Sequence, residues 1–176
     1  MASRVAWNNR AQAPDNEHIA ATIAAVLDCI RQQIAEIDRK IEALIQQSRP
    51  LAQAQDCLRT IAGIGPVVAA SLLALMPELG SLDRRRVAAL AGLAPHLRQS
   101  GGMDAYRRTR GGRPEVKTIL FMAAMTAARA TPQIQEFYQR LVNAGKKPLV
   151  ALTALMRKII LIANAKIKNL NAQQLS

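Results

Sequence analysis

One stretch of this chain concentrates groups able to act on a phosphodiester. Ser100 lies within Ala94 to Thr118, APHLRQSGGMDAYRRTRGGRPEVKT, with Arg98, Arg107, Arg108, Arg110 and Arg113 around it and Lys117 just beyond. Between Arg84 and Lys117 there are nine Lys/Arg against two acids, Asp104 and Glu115. Guanidinium forks match phosphate oxygens two at a time. Gly101-Gly102 and Gly111-Gly112 bracket the arginines, and glycine lets a backbone fold closely over a ligand. Two chemistries fit these residues. In one, the Ser100 hydroxyl attacks phosphorus, fixed positive charge stabilises the alkoxide and the transition state, and His96 serves as base if the segment folds back. In the other, the segment only clamps nucleic acid and Ser100 donates one hydrogen bond. Residue types alone leave both open. Tyr106 reads as a contact residue. No cluster of His, Cys or acids suggests a metal site, and Gly111-Gly112-Arg113 lacks the GxxxxGK[ST] spacing of a nucleotide phosphate loop.

A second candidate precedes it. Residues 51–76, LAQAQDCLRTIAGIGPVVAASLLALM, read as a short helix to Ile61, a turn at Gly63-Ile64-Gly65 and a second helix from Pro66. This resembles a helix-hairpin-helix. Gly63 and Gly65 permit the turn and let backbone amides approach a phosphate, and Pro66 suits the first position of a helix whose N-terminus favours an anion. Contact there would be independent of base sequence. A plain helical hairpin fits the same residues.

The elements that must carry these groups read as helices throughout, so the expected fold class is all-α. A polar lead-in ends at Ala13-Pro14-Asp15, and a long helix follows over roughly 17–47. Its apolar positions Ile23, Leu27, Ile30, Ile34, Ile37, Ile41 and Leu44 alternate four and three apart, a heptad seam. Coiled-coil pairing with another chain and a helix covering its own domain both fit. Ser48-Arg49-Pro50 breaks this helix, dividing the chain into 1–50, lead-in and coiled coil, and 51–176, a compact helical domain whose basic serine loop spans 93–113. Within that domain Ser81 is the expected N-cap of a helix over 82–91. Gly92 closes it. Further helices follow at Pro114 to Ala130, Pro132 to Asn143 and Pro148 to about Asn169.

The 176 residues carry 24 Lys/Arg against 12 Asp/Glu, a net charge of +12. Residues 1–50 hold six of each sign, so the whole excess belongs to 51–176. From Phe137 onward there are seven Lys/Arg and no acid. So local an excess points to a polyanionic partner, most simply DNA. Cys29 and Cys57 lack paired or metal-ligand spacing, which suits inert thiols in a reduced cytoplasm. The apolar segments near 116–128 and 149–164 are interrupted by Lys117 and by Arg157-Lys158, so core helices are expected and no membrane span.

Four segments resemble one known family: Ile61 to Leu79 (IAGIGPVVAASLLALMPEL), Leu90 to Ser100 (LAGLAPHLRQS), Tyr106 to Ala124 (YRRTRGGRPEVKTILFMAA) and Gly145 to Ala163 (GKKPLVALTALMRKIILIA). They look like the C-terminal transposase domain of the insertion-sequence 110 family, the bridge-RNA-guided recombinases of mobile elements. The resemblance runs from about Asn9 to Asn169. It implies a serine nucleophile in the QSG motif, here Ser100, and a dimerising role for the heptad helix, hence a homo-oligomer. It implies DNA and possibly a guide RNA as partners. In the family an N-terminal resolvase-like domain carries four metal-binding acids. This sequence opens at Met1 just before the coiled coil, so the expectation is a fragment in which Mg²⁺ would enter only with that domain. The alternative is a non-catalytic module for nucleic-acid binding and dimerisation.

Overall fold

The computed structural model describes residues 17–98, 105–109 and 111–174. Seven helices and one short two-stranded ribbon follow in order among these residues: α1 (Glu17–Gln46), α2 (Arg49–Arg59), α3 (Pro66–Leu75), α4 (Arg84–Leu90), β1 (Pro95–Arg98), β2 (Ala105–Thr109), α5 (Pro114–Ala130), α6 (Pro132–Asn143) and α7 (Pro148–Gln174). The all-α class holds, with the ribbon as its one addition. The chain divides into two compact units, Met1–Leu44 and Ile45–Ser176.

In the first unit the heptad seam splits in character. Ile23 and Leu27 are buried, whereas Ile34, Ile37, Ile41 and Leu44 are exposed, Leu44 by 64%. The polar flanks carry pairs one turn apart, Arg31 to Asp28 at 2.6 Å and Lys40 to Glu36 at 2.7 Å, each adding only tenths of a kcal/mol on an exposed helix, about 0.3–0.5.

The second unit is built on α5 and α7, which pack along each other more extensively than any other two helices. On α5 the buried residues are Val116, Leu120, Ala123, Ala124 and Ala127, a stripe of helical period. On α7 they are Ala151, Leu155, Met156, Ile159, Ile160, Ala163, Asn164 and Ile167. Alanines in both stripes let the two backbones approach closely, so small side chains rather than bulk set the spacing. α7 is long and apolar enough to cross a membrane by length and composition, but this double-width stripe makes it a core helix. It also runs past the expected end at Asn169, because nothing after Ile167 breaks the helix before Gln174.

The helix after Gly80 begins later than its sequence suggests. Asp83, not Ser81, caps it: the carboxylate accepts from the amides of Arg85 at 2.8 Å and Arg86 at 2.9 Å. Ser81 instead donates its hydroxyl to Glu78 O at 2.7 Å. One oxygen, Asp83 Oδ1, accepts from two orphan amides, which a serine hydroxyl at 81 is placed too early to reach. Asn164 holds this loop to α7, accepting from Gly80 N and donating to Leu82 O, both at 2.8 Å.

Candidate nucleic-acid interface

The segment expected as a loop over 93–113 is a hairpin. β1 and β2 pair antiparallel, with Pro95 opposite Thr109, His96 opposite Arg108 and Arg98 opposite Ala105. Arg98, Arg107 and Arg108 therefore occupy positions in one ribbon, although their side chains lie outside the described set. Ser100 and Arg110 lie outside the described residues altogether. What the structure does define is the base of the hairpin, and the helical framework holds it at four points.

The first grip is glycine on glycine. α4 ends with Leu93 N bonded to Ala88 O at 2.8 Å and Gly92 N to Ala89 O at 2.9 Å, the closing pattern that places a left-handed residue just after a helix. Gly92 takes that role at φ +68°. Gly112, at φ +74°, packs straight onto it: a Cβ on Gly112 would meet Gly92 N and Cα. The Gly111-Gly112 pair therefore closes over protein backbone, where the sequence suggested a ligand.

The second grip is Arg113. Its guanidinium donates to Glu78 Oε2 at 2.9 Å and Oε1 at 2.7 Å, and to Leu75 O at 2.5 Å. Its amide donates to Leu90 O at 2.8 Å. This corrects the expected phosphate contact: the fork of Arg113 is filled by a carboxylate of the same chain, and the residue ties the hairpin to the end of α3. The hydrogen bond from Arg113, joined by Glu78's own amide, holds the Glu78 carboxyl below its ordinary value, and the same bond raises Arg113. The third grip is Lys117, which donates to Thr109 Oγ1 at 3.1 Å. The fourth is Arg157 of α7, which donates to Leu93 O at 3.2 Å.

Gly63 and Gly65 sit elsewhere on the same framework. α2 and α3 flank the turn, and Gly63 adopts φ +86°. A Cβ there would drive into Ala123 O and Ala127 Cβ of α5. Gly63 is thus needed for close packing on α5, a requirement invisible in a motif reading. Gly65 is different: it precedes Pro66 with extended backbone, and a Cβ would meet nothing within 4 Å. Lys117 and the Ala123–Ala127 contact lie six to ten residues apart on α5, or about 9–15 Å at the rise of an α-helix. One straight helix therefore spaces the hairpin base from the glycine turn.

Sequence reasoning missed Glu78, Asn164 and Arg157 as parts of this frame. No local pattern marks them, because their partners lie 35, 84 and 64 residues away. The arginine triplet is exposed, with Arg86 Nε 3.3 Å from Asp83 Oδ2. Phe137 packs against the core and carries Lys158 4.3 Å from its ring centre and Arg140 at 5.5 Å.

Residues 55–139, which span the glycine turn, the hairpin and α5, match the transposase family described as IS116/IS110/IS902. Over that segment the chain is similar to that transposase family. Similar proteins include a pilin gene-inverting protein of Moraxella lacunata, 32% identical over 139 residues, covering 77% of this chain and 43% of that protein. The corresponding protein of Moraxella bovis gives the same identity and coverage. A 43.6 kDa insertion element IS110 protein of Streptomyces coelicolor is 28% identical over 153 residues, covering 86% of this chain and 37% of that protein. The chain spans less than half the length of these relatives. The family-matched segment holds three of the four grips, those of Gly92–Gly112, Arg113 and Lys117. Arg157 reaches in from α7, beyond it.

Proposed function

We propose that this chain is the DNA-handling part of a recombinase that rearranges DNA, with Ser100 as nucleophile. The observation that carries the reading is the hairpin: a two-stranded ribbon bearing Arg98, Arg107 and Arg108, anchored to a helical core of a chain with net charge +12; Ser100 falls between the two strands in sequence. In this reading the Ser100 oxygen forms a bond to phosphorus as the bond to one deoxyribose oxygen breaks. The hydroxyl proton ends on that leaving oxygen, and the phosphodiester energy is kept in a serine–DNA link for rejoining. Arg98, Arg107, Arg108, Arg110 and Lys117 neutralise the phosphate charge, while Arg113 holds the ribbon in place. Gly65, with open space before the N-terminus of α3, offers a backbone contact to a neighbouring phosphate. Mg²⁺ enters only with acids supplied from beyond these 176 residues, as the insertion-sequence 110 resemblance implies, and so does guide RNA. The half-open seam of α1 supports pairing of two copies.

The gene inversion named for the Moraxella proteins is the kind of strand exchange such a serine link would serve. Ser100→Ala tests the reading: the covalent protein–DNA adduct disappears on a denaturing gel while salt-sensitive binding persists. Adducts that survive the change sink the nucleophile. Salt-sensitive binding with no adduct from the unsubstituted chain favours the non-catalytic binding and dimerisation module.

A further inference from the structure

Beside the hairpin base lies a groove of about 460 Å³, within the range of ligand pockets, ~300–1,000 Å³. It is framed by the end of β2 and the first turns of α5 and α7. Half-buried Phe121 and buried Met156 line it, and Leu149 stands beside them. Polar groups at its edge are Lys117, whose ammonium is 3.1 Å from Thr109 Oγ1, and Thr153, whose hydroxyl donates to Leu149 O at 2.8 Å and so keeps acceptor capacity. No lining residue carries a negative charge. Exposed Lys146 and Lys147 immediately precede α7. The groove is thus apolar within and carries Lys117 at its edge, with two further lysines just ahead of the helix that supplies Leu149.

We infer that this groove takes one unstacked nucleobase from the strand held by the hairpin. The inference rests on the DNA-handling reading above. A base is flat and apolar on its faces, which suits Phe121 and Met156. It is polar at its edge, which suits Thr109, Thr153 and Lys117. It arrives between two phosphates, which suits Lys117 at the groove's edge and the lysines that precede α7 in the chain. An apolar side chain from a partner protein would fill the floor and leave that charge uncompensated. Position agrees. Thr109 ends the strand that carries Arg107 and Arg108, and two residues of strand span about 7 Å, so the groove opens close to the positions of those arginines in the ribbon. Taking a base out of the stack is a move that enzymes acting on duplexes commonly make, and seating it in this groove fixes the register of the flanking phosphate against the hairpin.

The experiment compares the full chain's binding of two single strands of equal length, oligothymidine and its abasic sugar–phosphate counterpart, over a salt series. The intact chain binds the base-bearing strand about tenfold more tightly. Phe121→Ala and Leu149→Ser bring the ratio close to one while the salt slope is unchanged. Leu149 is 63% exposed, so its replacement leaves the core intact even if the Phe121 variant fails to fold. Equal binding of both strands by the intact chain overturns the inference and leaves the phosphate reading standing. No salt-dependent binding of either strand overturns both. A ratio that survives Leu149→Ser, with or without loss of self-association, assigns the groove to something other than a base and also overturns the inference.

Discussion

At the scale of single residues, the hairpin base shows how a charged group changes role with its neighbours. Arg113 belongs by composition to the arginines proposed for phosphate, and by position to Glu78. Breaking that pair by Glu78→Gln lowers the melting temperature and loosens amide-exchange protection over residues 95–98 and 105–109, whereas Arg107→Gln weakens DNA binding without moving either. The pH sign follows from the lowered Glu78 and Asp83 carboxyls, held down by the Arg113 side chain and by the Arg86 and Arg85 amides respectively. Both depressed values mean stability that is full above the ordinary carboxylate values of 4.5 and 3.8 and is lost as pH falls through the lowered ones. An acid melting series should therefore slope downward below about pH 4.5, less steeply for Glu78→Gln; an identical slope in both proteins would remove the pair from the account. The two turn glycines separate in the same way. Gly63→Ala costs about 1–3 kcal/mol from backbone conformation alone, with the clash against α5 added. Gly65→Ala leaves stability within about 0.5 kcal/mol and reports only on phosphate contact.

At the scale of elements, α1 and the α5–α7 pair obey the same periodicity with different outcomes. The stripes of α5 and α7 are buried against each other and against α2, α3 and α4. Leu120→Ala in that core costs about 2–5 kcal/mol by calorimetry or denaturant melting. The second half of the α1 seam is exposed instead. Replacing Ile37 and Ile41 by lysine therefore leaves the melting of the second unit unchanged but converts a self-associating chain to monomer in sedimentation velocity. A monomeric unsubstituted chain at micromolar concentration would remove the pairing proposal. The heptad spacing was legible in the sequence, but its choice between covering the chain and facing another could not be read there. The ribbon was equally hidden. HLR and AYRRT lack the apolar alternation of a half-buried strand, and their pairing is set by the glycine and arginine ties at the base rather than by strand propensity.

At the scale of the whole molecule, charge and fold divide the work. The excess of basic residues lies in the part of the chain that holds the hairpin and the second unit, and carboxylates such as Glu78 and Asp83 are taken up by local structural bonds. Affinity for DNA should fall with salt at a log–log slope near −0.9 per phosphate neutralised. Lys146→Gln with Lys147→Gln reduces that slope by roughly one per lysine in contact. A slope unchanged by the double substitution places the DNA away from the start of α7.

Read alone, the 176 residues specified the helical class, the order of helices, the stops at Gly92 and Gly145, the excess of positive charge and the motif that contains Ser100. Those properties depend on neighbours in sequence: periodicity, capping chemistry and counts of charge act over one to four residues. The tertiary structure alone decided that Arg113 is a tether, that Gly63 and Gly112 make room for protein, that Asp83 rather than Ser81 starts α4, and that a groove opens where β2, α5 and α7 meet. Each of those depends on groups brought together from far along the chain, and no local pattern records which distant carboxylate, carbonyl or methyl group will be waiting when the backbone arrives.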